Sequence, residues 1–123
     1  MPSALIIAYL ARRTHISEKG MVIMIKHIVL WKFLETAGGH TKAENITRAK
    51  ELLLALPPVI PQIKSMQVGE DVLHTDASYD MALIVTAENA QTLGEYIRHP
   101  EHQRVSEFIG TVRESRVCAD IEE

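Results

Sequence analysis

The chain holds 123 residues, 46% of them hydrophobic and 24% charged, with a formal net charge of −3; this is the make-up of one ordinary globular domain. That charge, with no clustered basic face, argues against a nucleic-acid partner, because neutralising phosphates takes grouped Lys and Arg. The lone cysteine, Cys118, rules out an internal disulfide and a thiolate metal site, and it suits a reducing cytoplasm.

Residues 1–23 stand apart. The run Ala4 to Leu10 is apolar but far short of the roughly 20 residues of a membrane span, so no membrane partner is expected. Arg12 and Arg13 follow this run, whereas a secretory signal carries its positive charge in front. The segment reads as an N-terminal extension, poorly ordered or left by an upstream start codon, since Met21 and Met24 both precede the first clear strand; a short amphipathic helix is the alternative. The domain proper occupies 24–123.

From Ile25 to Phe33 a β-branched and aromatic run is apolar on both faces, with Ile25, His27, Val29, Trp31 and Phe33 on one and Ile28 and Leu30 on the other. It predicts a strand covered on both sides, closed by Gly38-Gly39. Thr41 and Glu44 have capping-box spacing, and Ile46, Ala49, Leu53 and Leu56 follow at helical period until Pro57-Pro58. Ile63 to Val72 alternates, with Met66, Val68 and Val72 opposite Ser65, Gln67 and Gly69, which predicts a second strand. Tyr79 to Thr86 is a third, with Met81, Leu83 and Val85 on one side.

A helix over Asn89 to Arg98 then breaks at His99-Pro100, because proline cannot continue one helix but suits the first turn of the next. The new helix runs to about Val112 and sets His102 on the face of Val105 and Ile109. An imidazole aimed inward beside a helix N-terminus is a candidate proton-handling group, because the dipole there disfavours its charged form; the plainer reading is a core histidine bonded to a backbone carbonyl. Ser115 to Ile121 forms the last strand, with Val117, Ala119 and Ile121 opposite Arg116, Cys118 and Asp120.

Strand, helix, strand, strand, broken helix, strand is the β-α-β-β-α-β order of an α+β, ferredoxin-like sandwich, with its helices on one face of a four-stranded sheet. The other face has no cover within the chain. Ile25 or Ile28 with Leu30, Met66 with Val68, and Val117 with Ile121 are expected to make it apolar. A homodimer joined through that sheet face, forming a shared α/β barrel, would bury it.

At this point the chain resembles the stress-responsive dimeric α/β-barrel (Dabb) family. The resemblance rests on Ile25-Lys26-His27-Ile28-Val29-Leu30, on Val68-Gly69 and, most specifically, on Tyr96-Ile97-Arg98-His99-Pro100-Glu101-His102, and it extends from Met24 to about Glu122. It implies two ferredoxin-like protomers closing their sheets into one barrel, without implying a single activity. Members include stress-induced plant proteins, bacterial proteins of unknown role and a plant polyketide cyclase that works without a cofactor. In the cyclase branch the positions matching His102, Tyr96 and Asp120 serve as general base, carbonyl-oxygen partner and orienter of the base, and His27 matches a pocket histidine. A further pocket histidine is replaced here by Met81, which puts the cyclase's substrate in doubt.

The residues themselves allow this and plainer roles. Asp120 bonded to one ring nitrogen of His102 would fix its tautomer and raise the basicity of the other; Asp120 as a surface residue near the C-terminus is the alternative. Tyr96, offset from Leu93 and Ile97, is expected to reach a pocket mouth or to pack at the domain edge. His27 reads as a pocket or a core residue, His99 as a helix cap, and His40 and His74 as loop residues. No metal-ligand spacing, phosphate loop or nucleophile elbow is present, so no metal or cofactor is expected.

Three functions follow as expectations. The first is cofactor-free proton transfer on a small hydrophobic carbonyl compound (cyclisation or isomerisation), with His102, Tyr96 and Asp120 catalytic and His27 and Met81 lining the site. The second is a non-catalytic stress-response protein that binds or assembles. The third is a cofactor-independent monooxygenase, by analogy of fold alone.

Overall fold

The computed structural model describes residues 23–123, and the expected N-terminal extension lies outside them apart from its last residue. Strand β1 (Ile25–Phe33) leads through a two-residue hairpin, β2 (Thr36–Ala37) and β3 (His40–Thr41), into α1 (Lys42–Leu54). Then come β4 (Ser65–Glu70), β5 (Met81–Ala87), α2 (Ala90–Arg98), α3 (Pro100–Val112) and β6 (Arg113–Glu122). The main sheet has the order β4-β5-β1-β6, every neighbour antiparallel. This is the ferredoxin-like arrangement that the sequence predicts. No helix among the described residues is long and apolar enough to cross a membrane.

Local chemistry sets the helix boundaries. Thr41 Oγ1 accepts from the Glu44 amide at 3.2 Å while the Thr41 amide donates to Glu44 Oε1 at 2.9 Å, closing the capping box that starts α1. Asn89 and Thr92 do the same for α2, at 2.9 and 3.1 Å. The hairpin between β2 and β3, absent from the sequence expectation, turns on Gly38 (φ +60) and Gly39 (φ +80). Consecutive residues in the left-handed region are what a two-residue turn of matching twist requires, and glycine takes that conformation without steric cost.

Between α2 and α3 the backbone of His99 is extended (φ −62, ψ 136) and Pro100 opens α3. His99 Nδ1 accepts from the Glu101 amide at 3.1 Å, so this histidine is the N-cap foreseen from sequence. The break leaves Tyr96 in the last turn of α2 and His102 in the first turn of α3.

The core lies between sheet and helices. Val29, Trp31 and Phe33 of β1 and Met81, Leu83 and Val85 of β5 pack with Ile46, Ala49 and Leu53 of α1, Leu93 and Tyr96 of α2, and Val105, Ile109 and Val112 of α3. One expectation is corrected here. Met66 and Val68 do not belong to the open face: the register sets them beside Val85 and Leu83, and both pack against the core. The open face on β4 is Ser65, Gln67 and Gly69. Its apolar part is confined to the other strands, where Ile28 and Leu30 of β1 lie between Ile84 and Ala82 of β5 and Ala119 and Val117 of β6. Val117 and Ile121 are 43% and 46% exposed, high values for large aliphatic side chains on a strand.

Candidate active site

Three ring-bearing side chains meet under the helices. Tyr96 is fully buried; its ring centroid lies 4.6 Å from that of His102, at 61°, and 6.3 Å from that of His27, at 68°. Both contacts are edge-on, the geometry in which a ring's positive edge meets a neighbour's π face. The His99-Pro100 break creates the first contact by turning α3 back so that His102 faces the tyrosine one element earlier. The second comes from β1, where His27 shares the core-facing row with Val29 and Trp31 and is 3% exposed.

These rings border a cavity of about 60 Å³. Its polar lining is His27, Tyr96, His102, Ser106, Arg113 and Arg116, and its apolar wall includes Trp31, Leu53 and Leu83. Space for a water needs only roughly 10–15 Å³ by this kind of measure, so the hollow is large enough for several waters or part of a small organic molecule. It is well below the roughly 300–1,000 Å³ of drug-sized ligand pockets.

Two of the lining groups are polar and unpartnered. Tyr96 Oη and His102 Nδ1 are buried without a hydrogen-bond partner, a state that costs about 1–3 kcal/mol for each such group. Burial pushes the Tyr96 hydroxyl up to about 12, with the charge of Arg116 pulling the other way. Burial also lowers His102 below the ordinary histidine value. The Ile97 carbonyl, which takes a bond from Gln103 Nε2 at 2.8 Å, opposes that shift, and the charges of His27, Arg116 and His99 reinforce it. At neutral pH the site therefore holds a neutral imidazole beside a protonated phenol.

Asp120 is placed differently from the sequence expectation. Its Oδ1 lies 2.5 Å from His27 Nδ1, so it partners His27 and not His102. The cause is register: antiparallel pairing of β1 with β6 sets Asp120 directly opposite His27, whereas His102 lies beyond the tyrosine ring. The imidazole is buried and the carboxylate side chain is 45% exposed, so the pair joins the interior to solvent. Met81 is also corrected. It is 1% exposed in the core and does not line the cavity, which on β5 is bordered by Leu83. Tyr96 reaches neither a mouth nor the domain edge but sits at the centre of the site.

Arg113 and Arg116 were not anticipated. The signal was available in the period of β6, because Arg116 is on the same side as Asp120, and that side faces the helices once Asp120 is paired with His27. Among the described residues no group of three or more His, Cys, Asp or Glu is placed to hold a metal ion.

Comparison with known proteins settles the kinship. The stress responsive A/B barrel domain (Dabb) model matches residues 25–123. The chain belongs to this family. Among solved structures it is similar to a dimeric protein of unknown function with a ferredoxin-like fold from Bacteroides fragilis, at 31% identity over 81% of this chain and 96% of that one, with a TM-score of 0.72. A dimeric ferredoxin-like protein of unknown function from Thermobifida fusca matches at 23% identity over 82% and 92%, with a TM-score of 0.72. The hydroxynitrile lyase of Passiflora edulis matches at 14% identity over 81% and 93%, with a TM-score of 0.69. At such identities the likeness to the last two is one of fold alone. No curated protein matches the chain.

Proposed function

We propose that this Dabb protein is a cofactor-free enzyme that moves a proton on a small carbonyl compound held in the His27–Tyr96–His102 cavity. The observation that carries the reading is the pair of buried, unpartnered polar atoms, Tyr96 Oη and His102 Nδ1, on two residues that line one hollow. A fold retains such atoms at a cost in stability, and a ligand that bonds to both removes the cost.

The chemistry follows from their states. With its own proton on Nε2, His102 offers the Nδ1 lone pair to a C–H next to the carbonyl. The C–H electrons move into the carbonyl, and the oxygen, becoming an enolate, takes a hydrogen bond from Tyr96 Oη. A phenol whose pKa is raised keeps its proton and donates, as stabilising an enolate requires. A base at or below the ordinary histidine value is deprotonated and ready at pH 7. His27, with Nδ1 engaged by Asp120, leaves its Nε2 as the ring atom open to a ligand in the cavity it lines. In a β,γ-unsaturated carbonyl compound the enolate extends over the C=C bond, and return of the proton to the γ carbon gives an isomerisation. Attack of the enolate on a second carbonyl gives an aldol-type ring closure, the polyketide-cyclase-like form of the same step.

The protein acts as a homodimer in this reading, joined through the apolar part of the open sheet face, and its unpaired, exposed Cys118 suits the cytoplasm. The dimeric relatives support the first point. The test is titration of the full chain with a small β-diketone, followed by the imidazole nitrogen signals of His27 and His102. Saturable shifts of both are expected, and unmoved signals at millimolar ligand would remove the proposal.

A further inference from the structure

Resting on the proton-transfer reading, we propose that the ligand is a small keto acid, its carboxylate held by Arg116 with Arg113 beside it while its carbonyl enters between Tyr96 and His102. Both arginines border the same cavity as the three rings, and no aspartate or glutamate does. Neither guanidinium has an ion pair among the described residues, although Arg48, Arg104, Lys42 and Lys50 all find carboxylates.

The strand geometry explains why they stay unpaired. Arg116 and Asp120 lie on the same side of β6, opposite Trp31 and His27 respectively. Four residues of strand separate them by about 13 Å, and Asp120 is already engaged by His27. Arg113 is the C-cap residue of α3, its amide donating to the Ile109 carbonyl, so the two arginines stand together where α3 passes into β6. Two uncompensated cations therefore border a hollow whose lining holds no carboxylate.

Size and chemistry agree with this. The enclosed volume of about 60 Å³ admits a short carbonyl fragment and leaves the rest of the molecule at the mouth, where Arg113 and Arg116 are exposed. A guanidinium offers a planar fork of donors that matches a carboxylate in two parallel hydrogen bonds, which fixes orientation as well as position. Anchoring the ligand at one end holds the carbonyl against the tyrosine in a reactive pose. The charge of Arg116 also reaches the Tyr96 hydroxyl and His102, so it acts on the reacting end as well as on the anchor.

The experiment compares 4-oxopentanoate and 5-oxohexanoate, each beside its methyl ester, for binding to the full chain by NMR titration. At least one acid is expected to bind about 10- to 100-fold more tightly than its ester, the worth of charged hydrogen bonds at a partly exposed site. Arg116→Gln should erase that difference, and Arg113→Gln should shrink it. Acid binding that Arg116→Gln leaves unchanged would overturn the inference. Equal affinity for acid and ester, lost together in Tyr96→Phe, would overturn it too while leaving the proton-transfer reading intact. Binding of neither would overturn both.

Discussion

Asp120 Oδ1 lies 2.5 Å from His27 Nδ1 across one rung of the β1–β6 ladder, an exposed carboxylate clasping a buried imidazole. Directly opposed strand residues have Cβ atoms about 4.5–5.5 Å apart, within reach of a carboxylate and a ring. Asp120→Asn removes the charge and keeps the shape. A hydrogen bond to a charged group is worth about 1.5–3 kcal/mol, and the exposure of Asp120 reduces this to about 1 kcal/mol, which urea unfolding would read. The titration of His102 should move little in this variant, because its ring has no contact with Asp120 and feels it only through His27; NMR of the histidine ring protons checks that.

Tyr96→Phe is expected to separate stability from function. It deletes a buried hydroxyl that has no partner, so the variant should unfold at equal or higher urea, with a gain of up to about 1 kcal/mol. Ligand binding and proton transfer should fall in the same protein. A clear loss of stability would mean that the hydroxyl is bonded in solution.

The pH response follows from His102. Its folded pKa is lowered by burial, so below the ordinary value of about 6.5 the unfolded chain binds a proton that the folded chain resists. Stability should therefore decline as pH drops from about 6.5 toward the lowered folded value and level off below it. Comparison of wild type with His102→Gln by urea unfolding at pH 5 and pH 7.5 tests this, since the variant should lose that part of the slope.

The open sheet face gives a fourth expectation. Leu30 sits there on β1 between Ala82 and Val117. Leu30→Lys would set an unpaired charge in a face-to-face interface at a cost of about 3 kcal/mol, weakening association by about 100-fold. Sedimentation should show a dimeric wild type and a folded, largely monomeric variant. A monomeric wild type would remove the interface.

Much of the fold was legible because its signals are local. The capping box at Thr41 and Glu44, the proline at position 100 and the alternation in β1 and β5 each act within a few residues, and together they fix the element order. The two-residue strands around Gly38-Gly39 are too short to show a period. Faces and partners were harder, because they depend on register between distant strands. Met66 and Val68 alternate correctly either way, and only pairing with Val85 and Leu83 assigns them to the core. In the same way Asp120 matched His102 on family pattern, yet the ladder hands it to His27. Arg116 went unnoticed because an arginine on a strand usually faces water, and its place at the cavity follows from that same register.

Hydrogen exchange at carbon tests the central claim most directly. The α-protons of a small ketone in D2O are followed by NMR with wild type, His102→Gln and Tyr96→Phe. The account predicts stereoselective deuterium uptake catalysed by wild type and lowered by about 100-fold or more in His102→Gln, the usual worth of a positioned base. Uptake no faster than in buffer, or undiminished without His102, would contradict it.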